Sequence, residues 1–129
     1  MRLLLDTHVW LWMVSRPERL STEALGALED ADNELYLSAA SCWELSIKYV
    51  LGKLPLPEPP ETFVLPRLAR DGVRGLAVQP FHGLRVCALP LHHRDPFDRI
   101  LVAQAQLEEL TLVTADHALM AYDVAILRA

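Results

Sequence analysis

The sequence has few of the residues that mark several large classes of protein. It contains only two cysteines, Cys42 and Cys87, and both fall within predicted helices. Two thiols so far apart do not make a disulfide framework, and we expect them to be reduced and buried, as in a cytoplasmic protein. Only five glycines against 52% hydrophobic residues exclude a disordered or fibrous chain. We therefore expect a globular chain with a hydrophobic core.

Long apolar runs are also absent. The N-terminal MRLLLDTHVWLWMV has some features of a signal peptide, but Asp6 and His8 interrupt it and no small-residue cleavage site follows. No stretch approaches the roughly 18 apolar residues that a transmembrane helix needs. Cations are scarce, since 12 Lys and Arg against 17 Asp and Glu give a formal net charge of −5. This balance argues against a sequence-independent DNA coat, but not against an enzyme that acts on nucleic acid.

The hydrophobic pattern alternates short strands with helices. Strands are predicted at residues 3–5, 35–37, 75–78, 111–114 and 124–127. Helices are predicted at residues 7–14, 21–29, 61–70, 81–89, 95–107 and 117–122, with another that follows Ser38 or Ser41 and ends near residue 51. The proline-rich stretch 54–60 is predicted to be an extended loop. This alternation favours a single three-layer α/β/α domain over residues 1–129, with a mostly parallel central sheet.

Four acidic residues are placed where such a sheet gathers functional groups. Asp6 directly follows the first predicted strand, and Asp116 follows the strand at 111–114. Glu44 lies in the first turns of the helix after the second strand, and Asp98 lies in the first turn of its own helix. Ligands of open α/β sheets bind beyond the carboxyl ends of the strands, near a switch in strand order. We therefore predict that the four carboxylates meet at one edge of the sheet.

Each acid also has a purely structural interpretation. Helix starts favour Asp, so Asp6, Asp98 and Asp116 could simply begin helices. Glu44 could pair with Lys48 one helical turn later. Together, however, four acids with no evident basic partner would repel and raise one another's pKa values. A divalent cation removes that repulsion, and all-carboxylate ligation favours Mg²⁺ or Mn²⁺ over zinc. Phosphodiester hydrolysis is the chemistry that most often needs such a site.

Four segments of the chain, in order, carry a resemblance to a known family. They are LLLDTH, SAASCWELSIK, HRDPFDRILVAQA and LVTAD. They resemble the motifs of the PIN-domain ribonucleases, and most of all those of the VapC-type toxins of bacterial toxin–antitoxin pairs. The resemblance covers essentially the whole chain.

This resemblance implies both a site and an activity. The acidic quartet that holds Mg²⁺ or Mn²⁺ would be Asp6, Glu44, Asp98 and Asp116, with Thr7 orienting a ligand or a water. The implied activity is a metal-dependent endoribonuclease that leaves 5′-phosphate and 3′-hydroxyl ends. A cognate antitoxin protein that blocks the site and a homodimeric toxin are implied as well.

The residues around the quartet are candidates for supporting roles. Asp95 precedes a proline at a helix start, so we predict that it caps the helix or supports a neighbouring ligand residue. Arg94, Arg99 and Lys48 are candidates for contact with RNA phosphates. The alternatives for them are solvation or an ion pair with Asp95.

Histidine and tryptophan supply the remaining candidates. His8 and His93 flank the acids and are weaker candidates for RNA contact, and the histidine spacings match no zinc pattern. Trp10, Trp12 and Trp43 fit a core, with a groove for an amphipathic partner helix as the alternative.

Two rival functions follow from the same residues. The first is a non-catalytic binding module with the same fold, whose acids only cap helices. The second is a phosphate-handling enzyme or switch of the receiver or haloacid-phosphatase type. Receiver domains need a second acidic pair and a distal Lys, and the phosphatases need D-x-D, whereas Asp6 is followed by Thr7 and His8. The absence of a G-x-x-x-x-G-K-[ST] loop also argues against P-loop nucleotide hydrolysis.

Overall fold

A five-stranded parallel sheet forms the centre of the structure, a computed structural model that describes residues 1–129. Its strands are β1 Arg2–Leu5, β2 Glu34–Ser38, β3 Val73–Leu76, β4 Thr111–Thr114 and β5 Ile126–Arg128. They are arranged in the order β3-β2-β1-β4-β5, and every neighbouring pair is parallel. The chain builds the sheet outward from β1 in one direction, then returns to the other side of β1 with β4. The switch in strand order therefore lies between β1 and β4.

Helices cover both faces of the sheet. They are α1 Thr7–Ser15, α2 Thr22–Glu29, α3 Ala39–Val50, α4 Pro60–Asp71, α5 Pro80–Arg85 and α6 Pro96–Glu108. Because successive side chains of a strand point to opposite faces, Leu3 and Leu5 pack into the core under α1 to α4, while Leu4 packs into the core under α6. β1 is buried on both sides, which explains its continuous apolar run. The predicted three-layer α/β/α fold is confirmed.

Several helices and strands begin or end at residues other than those predicted. Gly72, in the left-handed conformation at φ 68°, ends α4 directly before β3, which therefore begins at Val73 and not at residue 75. The helix predicted at 81–89 divides into α5 and a 3-10 turn, and that at 117–122 shortens to a 3-10 turn over Leu119–Ala121. β5 begins at Ile126 because its ladder with β4 starts there, opposite Leu112.

Side-chain burial corrects two further expectations. Cys87 is exposed in the 3-10 turn after α5 and Cys42 is half-buried, so the prediction of buried thiols was wrong for Cys87. Trp10 is fully buried and belongs to the core, as predicted, and Trp12 is half-buried. Trp43 is 64% exposed, because it points outward from α3.

None of the helices combines the length and the apolar character that crossing a bilayer demands.

Candidate active site

Asp6 lies at the switch point of the sheet and does not act as a helix cap. It occupies the position before α1, yet its carboxylate accepts no hydrogen bond from that helix. Its Oδ2 accepts a hydrogen bond from Thr114 Oγ1 at the end of β4, at 2.7 Å. The side chain is therefore turned towards the gap between β1 and β4. Burial raises its pKa, with the Thr114 hydrogen bond acting in the opposite direction.

Glu44 is a buried carboxylate with partners on both oxygens. It is 2% exposed on α3. Oε1 accepts from Thr7 Oγ1 and Oε2 accepts from Lys48 Nζ, each at 2.7 Å, while the hydroxyls of Thr7 and Ser41 lie 2.8 Å apart. The hydrogen bond to Glu44 is the main reason that the pKa of Lys48 is raised. The expectation that the acids have no basic partner was thus wrong for Glu44.

Asp95 and Asp98 divide the start of α6 between them. Asp95 caps the helix, since its Oδ1 accepts the Phe97 backbone N–H at 2.8 Å. Asp98 makes no capping contact and shares a cavity with Asp6. Burial, followed by the negative charges of Asp6 and Asp95, raises the pKa of Asp98 to about 7. A carboxylate in such surroundings is stabilised by any cation placed beside it.

Asp116 is held by two donors beyond the end of β4. Its Oδ1 accepts the Ala118 backbone N–H at 2.9 Å in a turn, so Asp116 does not begin a helix as its structural interpretation expected. Its Oδ2 lies 2.9 Å from His93 Nε2, and the same nitrogen lies 3.2 Å from Asp98 Oδ2. Ligand atoms of His93, Asp98 and Asp116 all lie within 4.8 Å of one another.

Three acids of the predicted quartet line one cavity, and the fourth, Glu44, lies beside it. The cavity has a volume of about 250 Å³ and is lined by Asp6, His8, Trp12, Asp98, Ala115 and Asp116. Glu44 adjoins it closely enough for its charge to raise the pKa values of Asp6 and Asp98. Carboxylate oxygens are the ligands that hard divalent cations prefer, so the residues present fit Mg²⁺ or Mn²⁺.

The three predicted RNA-contacting cations have different surroundings. The Arg99 guanidinium donates to the backbone carbonyls of Val86, Pro90 and His93 at 3.0 to 3.3 Å. Arg99 is therefore engaged in tying down the loop before α6, which favours a structural role. Lys48 is paired with Glu44. Arg94 is exposed and free to meet a ligand.

Two residues of the site were not assigned there by sequence reasoning. Thr114, which bonds Asp6, is an ordinary strand residue in the sequence, and only its place at the end of β4 marks it. The sequence indicates His93 only as a weak candidate for RNA contact. Its position two residues before Asp95 was the one available signal that it belongs to the start of α6.

The fold and the site define an α/β domain that collects acidic side chains at the switch point of a parallel sheet. The sequence model of the PIN domain matches residues 3–125, and the chain belongs to the PIN-domain family. The family resemblance predicted from the four motifs is confirmed.

Characterised proteins are similar over much of the chain. Ribonuclease VapC22 of Mycobacterium tuberculosis is 36% identical over 120 residues, which cover 92% of this chain and 90% of that protein. Ribonuclease VapC16 of the same organism is 42% identical over 71 residues, 52% of this chain, and the match spans 50% of its length. The crystal structure of VapBC2 from Rickettsia felis, bound to a DNA fragment from its promoter, has a TM-score of 0.75 at 16% identity and covers 99% of this chain and 98% of that chain. That likeness shows the shared fold.

Proposed function

We propose that this chain is a Mg²⁺- or Mn²⁺-dependent endoribonuclease, the toxin of a type II toxin–antitoxin pair, acting in the cytoplasm as one PIN-like domain over residues 1–129. The observation that carries the proposal is the meeting of Asp6, Asp98 and Asp116 around one cavity, with the buried Glu44 beside it. RNA is favoured as the substrate because two similar proteins of the same family are named ribonucleases.

The quartet would hold the cation, and the residues around it would orient the quartet. When bound, a divalent cation lowers the pKa of a coordinated water and neutralises charge on the leaving oxygen. Thr7 orients Glu44, and Thr114 orients Asp6 through a short hydrogen bond. Asp95 caps α6 and so sets where Asp98 projects. Arg94, exposed beside the helix start, is our choice for contact with an RNA phosphate.

The main test is cleavage of a fluorogenic single-stranded RNA with Mg²⁺, with EDTA, and after Mg²⁺ is restored. EDTA should slow cleavage by at least about 100-fold, and Mg²⁺ should restore it, because the quartet works through the bound cation. Asp6→Asn should cause a similar loss in the presence of Mg²⁺. Asp32→Asn removes the same charge from an exposed turn and is the matched control, expected to cleave like the wild type.

Cleavage that persists in EDTA and in Asp6→Asn would contradict the proposal. The rival binding module predicts no cleavage at all and no effect of Mn²⁺ on thermal unfolding. A native metal site instead raises the free energy of unfolding by about 2.7 kcal/mol when Mn²⁺ is present at 100 times its dissociation constant.

We also propose that the toxin is a homodimer formed through an exposed apolar surface, here called the Trp43 surface. Its concavity has a volume of about 460 Å³ and is lined by Ala39, Ala40, Trp43, Val78, Pro96, Phe97 and Ile100. The Trp43 and Phe97 rings meet edge to face, with centroids 5.3 Å apart. Aromatic residues exposed in an apolar patch are typical of protein interfaces.

Trp43→Glu should weaken this dimer by at least about 30-fold, because a buried tryptophan contributes about 2 kcal/mol or more to an interface and a buried carboxylate opposes association. Sedimentation velocity over a range of protein concentrations would measure the change. Leu65→Glu is the matched control, since Leu65 is 59% exposed on α4 and does not line the Trp43 surface. A monomeric wild type, or an unchanged dimer in Trp43→Glu, would refute this assignment.

A second groove suits the antitoxin protein that the proposed role requires. It has a volume of about 650 Å³, combines apolar side chains with Arg16, Arg19 and Arg67, and shares His8 and Trp12 with the acidic cavity. An amphipathic segment with an acidic edge would match both its apolar and its basic lining. Because His8 and Trp12 line both spaces, an occupant of the groove would lie beside the cavity.

A further inference from the structure

The hydrogen bonds of His93 determine which ring nitrogen carries the proton. Nδ1 lies 3.0 Å from the Asp95 backbone nitrogen. A backbone N–H can only donate, so Nδ1 accepts and carries no proton. The proton of the neutral ring is therefore on Nε2, which donates to Asp116 Oδ2 at 2.9 Å and lies 3.2 Å from Asp98 Oδ2.

In this tautomer the His93 ring donates a hydrogen bond to a carboxylate and does not coordinate a cation. A protonated Nε2 has no lone pair to offer a metal ion. The Nε2–H instead bonds one oxygen of Asp116 and lies close to one oxygen of Asp98, while Ala118 N–H bonds the other oxygen of Asp116.

The ring is held in place from its other side. The His93 backbone N–H donates to Tyr122 Oη at 3.0 Å, and Asp95, which supplies the donor to Nδ1, also caps α6. The start of α6 therefore fixes both Asp98 and the ring that bridges it to Asp116.

We infer that His93 is a positioning residue, whose Nε2–H orients Asp98 and Asp116 towards each other as ligands for a divalent cation. The inference rests on the proposed function, since it concerns the same metal site. Without the ring, two carboxylates from different parts of the chain lose the donor between them and move apart through repulsion. Residues that orient metal ligands in this way typically change metal affinity by about 10- to 100-fold when they are replaced.

Two substitutions of His93 test the roles of its two ring nitrogens separately. His93→Gln keeps an amide N–H near the position of Nε2, whereas His93→Asn keeps an acceptor near the position of Nδ1 and loses the donor to the acids. The dissociation constant for Mn²⁺ would be measured from the EPR signal of free Mn²⁺, with no RNA present. We expect it to rise about 10-fold or more in His93→Asn and to stay within about 3-fold of the wild type in His93→Gln.

The alternative roles of His93 give different results. A role limited to holding the loop through Asp95 predicts the reverse order, with His93→Asn close to the wild type, and would overturn the inference. A direct ligand would show the ring nitrogen coupled to Mn²⁺ in pulsed EPR, and would also overturn it. Two-bond ¹H–¹⁵N NMR of the Mg²⁺-bound wild type should show the proton on Nε2, a measurement that needs no variant.

Measurements of Mn²⁺ binding distinguish a wrong role for His93 from a wrong metal site. A wild type that binds Mn²⁺, with His93→Asn binding it equally well, overturns the inference alone. A wild type that does not bind Mn²⁺ overturns both.

Discussion

Asp98→Asn is expected to stabilise the metal-free protein at about pH 8 by roughly 2 kcal/mol while it slows RNA cleavage by at least about 100-fold. The first effect arises because burial and the charges of Asp6 and Asp95 raise the pKa of Asp98 to about 7, so the ionised form is disfavoured in the folded protein. The rise of this pKa from 3.8 to about 7 corresponds to about 4 kcal/mol of lost stability. We expect about half of that value, because the cavity is in contact with solvent, which screens the charges. The second effect arises because the amide is a poorer ligand for a hard cation.

The pH dependence follows from the direction of the shift. Since the folded pKa of Asp98 lies above its unfolded value of 3.8, the folded state binds more protons between about pH 4 and pH 7. The stability of the metal-free wild type should therefore fall as pH rises through this window. In Asp98→Asn that fall should be smaller, and the stabilities of the two proteins should converge below about pH 4.

Urea unfolding in EDTA at several pH values would measure this difference, with Asp32→Asn as an exposed-acid control. Adding Mn²⁺ should then stabilise the wild type more than the variant, because the site has lost one of its four acids. A variant that is less stable than the wild type at about pH 8 in EDTA, or that still cleaves RNA at the wild-type rate, would contradict this account of Asp98.

Arg99→Ala is expected to lower the free energy of unfolding by about 3 kcal/mol. Its guanidinium bonds the carbonyls of Val86, Pro90 and His93 and also donates to Tyr122 Oη at 3.1 Å, so its removal leaves several acceptors without a donor. Arg99→Lys should recover only part of the loss, because an ammonium group cannot reproduce the planar fork of the guanidinium. Chemical denaturation in EDTA would give all three values.

Arg94→Ala is the matched control for Arg99→Ala. Arg94 is exposed, so its removal should change stability by less than about 0.5 kcal/mol while it weakens binding of a non-cleavable RNA. If Arg99→Ala kept its stability and lost only RNA affinity, Arg99 would be an RNA contact and not an anchor of the loop.

Features that depend on neighbouring residues could be predicted from the sequence alone. The apolar run of β1 and the β-forming residues of β4 predicted both strands, and the Asp95–Pro96 pair predicted where α6 begins. Because parallel strands align their carboxyl ends, the fold class also implied that Asp6 and Asp116 lie at one edge of the sheet. The family resemblance added the roles of the quartet, which remain proposals.

The role of Asp6 became visible only in the folded protein, where its carboxylate lines the cavity and does not cap α1. An Asp before a helix has the same local sequence in either role, yet Asp95 bonds its own helix while Asp6 bonds Thr114, 108 residues away. The same holds for His93, which bridges two acids, and for Arg99, which binds the loop and not solvent. Asp6 meets Thr114 because β4 returns to the side of β1, and no local pattern records that crossing.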